Sequence, residues 1–210
     1  MEILKFELPP IGTNAYLLLN EASRKAVLFD APLEAWSTFS RVLKDKKCEL
    51  EALYLTHGHW DHILDVAKFA KQGVKIYGHR EDECLIRSPA RMADFAVPGI
   101  EISPGRVDHF LEDGDQIEIL GNLAEVRHVP GHSAGSILFF LPGLRVSFSG
   151  DAIFAGSIGR TDFPGCSFEL LAKSIREKIY TLPDETIIYP GHGPETTVGE
   201  EKRNNPFLRG

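Results

Sequence analysis

The sequence predicts an α/β protein in which two β-sheets pack together with helices outside them. Two observations carry this reading. Strand-like runs fall in two batches, each interleaved with amphipathic helical segments, which suits two helix-backed sheets better than one parallel sheet. The 210 residues, 43% of them hydrophobic, are enough for a single domain that buries its core without covalent staples.

Taken in order, "ILKFEL" (3–8), "NAYLLL" (14–19) and "KAVLFD" (25–30) read as a meander, separated by turn signals at Pro9-Pro10-Ile11-Gly12 and around Asn20 to Ser23. In "LEAWSTFSRVLKDKK" (33–47), Trp36, Phe39, Val42 and Leu43 recur at helical spacing. The strand "EALYLT" (51–56) runs into "THGHWDH", after which "ILDVAKFAKQ" (63–72) reads as a helix and "VKIYGH" (74–79) as a strand. Residues 87–109 carry three prolines and weak periodicity, and are expected to form a long loop, a candidate lid. The second batch comprises "QIEIL" (116–120), "AEVRHV" (124–129), "SILFFL" (136–141) and "RVSFS" (145–149), then a helix "FELLAKSIREKIYTL" (168–182) and a last strand "TIIYP" (186–190).

Composition narrows the function classes. A formal charge of −7 argues against general binding to nucleic acid or anionic membrane, although it leaves an anionic small molecule open. No apolar run reaches the length of a membrane span, and the start lacks the basic-then-apolar order of a secretion signal, so a cytoplasmic protein is expected. Cys48, Cys84 and Cys166 are odd in number and widely spaced, which suits neither a disulfide framework nor a thiolate metal site.

The chemistry is concentrated in "THGHWDH". A strand ending at Thr56 delivers extended backbone, where residues two apart project to one side, so His57 and His59 can pinch one cation. Asp61 and His62 then open a helix, where both can reach a second cation beside the first. Three further strand ends supply partners: His132 after "AEVRHVPG", Asp151 after "RVSFSG" and His192 after "TIIYPG". Loops at one edge of a sandwich converge, and a carboxylate such as Asp151 has two oxygens with which to bridge two ions. Asp30, closing "VLFD", is a candidate acceptor for the far nitrogen of a ligand imidazole. His79, His109 and His128 have no such spacing and are read as structural. No histidine stands near Cys166 in the sequence to activate it, so it is read as a filler.

These motifs, "THGHWDH", "GHS", "SGD" and "GHG" in this order, resemble the metallo-β-lactamase-fold superfamily, and within it the hydroxyacylglutathione hydrolase (glyoxalase II) branch. "FAGSIGRTDFPG" and "GHGPETTVGEEKRNNPF" resemble its short bacterial members. The resemblance implies a four-layer αβ/βα sandwich of two mixed sheets, formed by one domain over residues 1–210 without the C-terminal helical domain of full-length glyoxalase II. It implies two divalent metal ions, zinc first and iron or manganese as alternatives. It assigns His57, His59 and His132 to one ion, Asp61, His62 and His192 to the other, and Asp151 to the bridge. Full-length glyoxalase II tends to carry a Lys and a Tyr after the bridging Asp, whereas this chain has Gly159-Arg160-Thr161-Asp162, leaving Arg160 as the candidate grip for a substrate carboxylate.

Two ions sharing a water lower its pKa towards about 7, and Asp61 is the expected proton acceptor. A thiolate leaves unprotonated while an amine needs a general acid, so the expected reaction is hydrolysis of a small thioester such as S-lactoylglutathione, with activated esters or lactones next. Two rivals remain. One is a persulfide dioxygenase with a single iron on His57, His132 and Asp151. The other is a metal-binding module without catalysis.

Overall fold

A computed structural model describes residues 1–208. Its strands form two six-stranded sheets and a short hairpin. The first sheet runs β1 (Glu2–Leu8), β2 (Thr13–Asn20), β3 (Lys25–Phe29), β4 (Glu49–Tyr54), β5 (Lys75–Gly78) and β6 (His109–Phe110), in sequence order. Its first three strands pair antiparallel, and β3 through β6 pair parallel. The second sheet takes β7 (Gln116–Ile119), β8 (Asn122–His128), β9 (Ile137–Leu141), β10 (Val146–Gly150), β13 (Ile187–Pro190) and β14 (Thr196–Thr197), in the spatial order β14-β13-β10-β9-β8-β7. There only β10 and β13 are parallel. Strands β11 (Ile153–Phe154) and β12 (Ser157–Ile158) make the hairpin.

Period-two side-chain alternation sorts the apolar residues into layers. Tyr16, Leu18, Val27, Phe29 and Tyr54 point inward from the first sheet against Phe139, Leu141 and Phe148 of the second. Leu17, Leu19, Leu28 and Leu53 point the other way, under Phe39 of helix α1 (Ala35–Lys46) and Phe69 of α3 (Val66–Lys71). On the far side, Leu138, Phe140 and Ile188 meet Leu171 of α5 (Phe168–Ser174) and Val198 of α6 (Val198–Asn204). Helix, sheet, sheet and helix thus stack as the αβ/βα sandwich.

Several elements depart from the sequence reading. The helix expected over 63–72 is two pieces, α2 (Trp60–Ile63) and α3, because the Asp65 amide turns to the Ala31 carbonyl, 2.9 Å away, instead of continuing the helical ladder. The helix expected over 168–182 starts where Ser167 caps the Leu170 amide, but after Ser174 it widens into a π-turn over Ile175–Ile179. Residues 87–109 are not a plain loop. A 3-10 segment spans Pro89–Phe95, and His109 joins Phe110 as the edge strand β6. Helix α4 (Glu83–Arg87), helix α6, strand β14 and the β11–β12 hairpin, too short or too polar to show periodicity, had no counterpart in the sequence reading.

The intersheet layer centres on Phe29 and Phe148, whose rings stack with centroids 3.8 Å apart. Replacing Phe148 by Ala should lower the unfolding free energy by about 3–5 kcal/mol, seen as a lower urea midpoint at unchanged slope. A loss below about 1 kcal/mol would show that the two sheets repack across the gap.

Candidate metal centre

Strands β8 and β10 both run antiparallel to β9, and β13 runs parallel to β10, so the C-terminal ends of all three lie at one end of the second sheet. The turns that follow carry His132, Asp151 and His192. The first sheet meets this end twice. The Ile137 amide donates to the Thr56 carbonyl at 2.8 Å, and the Asn14 amide to the Gly191 carbonyl at 2.7 Å. Asn14 Nδ2 and the Tyr16 hydroxyl both donate to the Pro190 carbonyl, at 2.9 and 2.7 Å. These bonds seat His57, His59, Asp61 and His62, which follow β4, against the turns of the second sheet. Gly191 is required there by space, since a Cβ at that position would collide with Asp151 Oδ1.

The seven side chains converge in one buried cluster, five of them bordering a pocket, and only His192 is appreciably exposed, at 26% of its side chain. His59 Nδ1 lies 2.8 Å and His57 Nε2 3.2 Å from His132 Nε2. His62 Nε2 lies 3.3 Å from Asp61 Oδ2 and 3.2 Å from Asp151 Oδ1. His192 Nε2 lies 3.2 Å from Asp61 Oδ2 and 3.5 Å from Asp151 Oδ2, and His132 Nε2 is 3.6 Å from the latter atom. Two tetrahedral ligands about 2.0–2.1 Å from an ion stand about 3.3 Å apart, and these separations straddle that figure. Ligand atoms close up in three overlapping sets: His57, His59 and His132; His57, His62 and Asp151; Asp61, His62 and His192.

Hydrogen bonding on the outer side of the rings fixes which nitrogen faces inward. His62 Nδ1 is 2.8 Å from Asp30 Oδ2, His132 Nδ1 2.8 Å from the Arg160 carbonyl, and His192 Nδ1 3.2 Å from the Gly12 carbonyl. Carboxylate and carbonyl oxygens only accept, so each Nδ1 carries the proton and each Nε2 presents a lone pair. His57 Nδ1 reaches Thr56 Oγ1 at 3.1 Å, whose own hydrogen is given to Asp30 Oδ2 at 2.7 Å, with the same result. His59 alone turns Nδ1 inward. Inside this ring, His62 Nε2 and Asp151 Oδ1 are buried without a hydrogen-bond partner, which is costly unless a cation is their partner. The donor set therefore fits divalent metal.

The electrostatics agree. Burial and then the charge of His62 hold the His57 pKa well below its usual value, and burial takes His59 down to about 3. Burial also lowers His132. These three are neutral, as ligands must be. For Asp151, burial pushes upward, but His62, His132 and His192 reverse it and leave the carboxyl well below the ordinary range. For His62, burial pulls downward and is outweighed by Asp61, Asp151 and Asp30, which hold a proton on the ring well above its ordinary pKa. Where no metal is bound, the carboxylates draw that positive charge from a proton instead.

The pocket over this cluster has a volume of 640 Å³ and largely apolar walls, with Trp60, Phe95, Val97, Phe154, Ile158 and Phe163 among its lining residues. Arg160 lines it too, but its guanidinium is held bidentately by Asp162, at 2.6 and 2.7 Å, and lies 4.2 Å over the Phe163 ring. The Arg160 backbone has a role of its own, as the acceptor for His132. Thr13 was missed in the sequence. Its hydroxyl donates to Asp61 Oδ2 at 2.7 Å, and a Thr opening a strand gives no signal of this. His79 and His128, far apart in sequence, stack at 4.2 Å and 15°, and His109 stacks on Tyr77 at 4.8 Å. With Glu81, His79 and His128 form a further, more exposed grouping, but parallel rings do not aim lone pairs at one point, and His128 Nε2 is engaged by the Ala134 carbonyl. Cys166 donates to the His132 carbonyl at 2.8 Å, and burial raises its thiol pKa.

Residues 8–192 match the model of the metallo-beta-lactamase superfamily, and the chain belongs to that family. It is similar to the hydroxyacylglutathione hydrolase GloC of Haemophilus influenzae, with 40% identity over 91% of this chain and 91% of that protein. Among solved structures, it is similar to the BLEG-1 B3 metallo-beta-lactamase, with TM-score 0.91, 37% identity and full coverage of both chains. It is also similar to TTHA1623 in a di-iron-bound form, with TM-score 0.83, 36% identity and coverage of 98% of this chain and 100% of that one. Among the described residues, no helix is long and apolar enough to cross a membrane.

Stripping metal with a strong chelator should lower the melting temperature, and re-adding a divalent ion should restore it, because an ion bound only by the folded chain adds its binding free energy to stability. An unchanged melting curve after verified removal of metal would contradict this account of the buried carboxylates.

Proposed function

We propose that this chain hydrolyses small acyl thioesters, S-lactoylglutathione among them, at a pair of divalent ions. His57, His59 and His132 hold one ion, Asp61, His62 and His192 the other, and Asp151 is shared. The observation that carries the reading is the fixed outer hydrogen bonding of four imidazoles, which leaves four Nε2 lone pairs turned on two buried carboxylates. Similarity to a hydroxyacylglutathione hydrolase and to a di-iron-bound structure supports it. Imidazole and carboxylate without thiolate suit zinc, iron and manganese, and zinc is the first choice for so imidazole-rich a set.

What the ions supply when bound is Lewis acidity, polarising a carbonyl and making water acidic near neutral pH. The chain's own residues do the rest. Thr13 anchors Asp61 Oδ2, and the carboxylate stands in the pocket wall, where it orients the attacking water and accepts its proton. The apolar walls take the acyl part and exclude bulk water. A thiolate, with a thiol pKa of about 8.5, departs without help. An amine must be protonated as it leaves, a step that a thiolate does not need, so thioesters come before amides. Asp162 already meets much of the Arg160 charge and leaves Nη1 as the free edge for a substrate carboxylate, a weakened grip, so the reading extends to thioesters of carriers other than glutathione.

The mono-iron reading has one observation behind it, since His57, His132 and Asp151 do meet in the pocket. It leaves His59 Nδ1 and the Asp61, His62 and His192 set without a use. Metal-loaded protein should carry two ions per chain and cleave S-lactoylglutathione or a simple acyl thioester, and Asp61→Ala should reduce kcat by about 100-fold or more. No turnover above that variant would end the thioester reading. Oxygen uptake on glutathione persulfide with one iron per chain would put the dioxygenase in its place.

A further inference from the structure

Asp82 takes no part in the chemistry above, yet its carboxylate joins the two loops that carry three of the imidazoles. It is 1% exposed and closes the 3-10 turn Arg80–Asp82 that follows β5. Oδ2 accepts from the Gly58 amide at 2.7 Å and from the Ser133 hydroxyl at 2.7 Å, and Oδ1 accepts from the Gly135 amide at 2.8 Å. No Lys or Arg pairs with it among the described residues, so these three donors are what offsets the burial of its charge. Gly58 stands between His57 and His59, and Ser133 directly follows His132.

Both loops approach at backbone distance. A Cβ on Gly58 would stand 3.0 Å from Asp82 Cβ, and one on Gly135 would stand 2.7 Å from Asp82 Cγ. The glycines within "HGH" and "HSAG" are thus explained by close packing on Asp82, with Leu85 also against Gly58. That packing is also where the geometry of the three imidazoles is set. His57 and His59 reach His132 across loops 73 or more positions apart, at 3.2 and 2.8 Å. Of the other bonds, the Ile137 amide on the Thr56 carbonyl reaches the segment before His57 but lies five residues from His132, and Cys166 holds the His132 carbonyl from a third segment. None of the three donors to Asp82 flanks Asp61, His62 or His192 in sequence.

We propose that Asp82 is a positioning residue that sets the spacing of His132 against His57 and His59, and through it the metal affinity of that half of the centre only. The inference rests on the two-ion reading for its expected asymmetry. Asp82→Asn keeps the shape but turns an amide nitrogen toward an N–H donor. Ser133→Ala removes one donor and leaves the carboxylate, so it remains informative if the first variant folds poorly.

Full-length wild type and variants are titrated with zinc against a chromophoric chelator, and their cobalt(II) forms are compared by visible absorption. The D82N variant should lose about 10- to 100-fold in one of two affinities, with a changed cobalt spectrum and an unchanged second affinity. The S133A variant should shift the same affinity by less. Equal weakening of both affinities with a lower melting temperature of the metal-free variant would overturn the proposal, since the carboxylate would then support the fold at large. Unchanged affinities would overturn it too. A wild type that binds a single ion would sink the two-ion reading, and the role of Asp82 would then stand or fall on whether D82N weakens that ion.

Discussion

Asp61 and Asp151 are buried carboxylates set among five imidazoles, and the pocket is organised around the need to offset their charge. Carboxylates removed from water raise their pKa or find positive charge. Here they find it, through His62 and His192, and the arrangement persists because each ring is gripped from behind by an oxygen that cannot give it a proton. Asp30 contributes at two points at once, by receiving the Thr56 amide and hydroxyl and by facing His62. Burial of charge therefore reaches back from the pocket to the end of β3.

The fold serves this centre by making two separate sheets share one end. The stack of Phe29 on Phe148 sets the distance between sheets, and the bonds from Asn14, Tyr16 and Ile137 lock them together beside the pocket. Seven side chains on loops and one short helix can keep spacings near 3 Å only when these segments leave rigid elements that cannot slide past one another. The stretch expected to form a long loop, residues 87–109, is drawn into the same scheme. Phe95 of its 3-10 segment packs edge-on against Phe163, which in turn borders His59.

The region around Arg160 shows how one short stretch borders the His132 ring with its main chain and the pocket with its side chain. Its carbonyl fixes the tautomer of His132, while its guanidinium is occupied by Asp162 and flattened on Phe163. A Cβ at the preceding Gly159 would stand 2.8 Å from His132 Nδ1, so the main chain must pass tightly here. The side chain of Arg160 was the signal visible in the sequence, but the main chain is what touches the centre.

What the sequence determined by itself is which His and Asp residues stand at strand ends, and the two-sheet plan. Alternating apolar positions and strand-terminal "THGHWDH", "GHS", "SGD" and "GHG" motifs are local patterns, and local patterns survive in one dimension. The pairing of those residues was not local. Which ring nitrogen faces inward, the anchoring of Asp61 by Thr13, the carboxylate of Asp82 between two loops and the stacking of His79 on His128 all join positions tens of residues apart. The two-residue strands escaped for a related reason, since so short a run holds no period and is fixed by the neighbour it pairs with. Tertiary structure decided these points, because contacts between distant segments exist only once the two sheets have closed on each other.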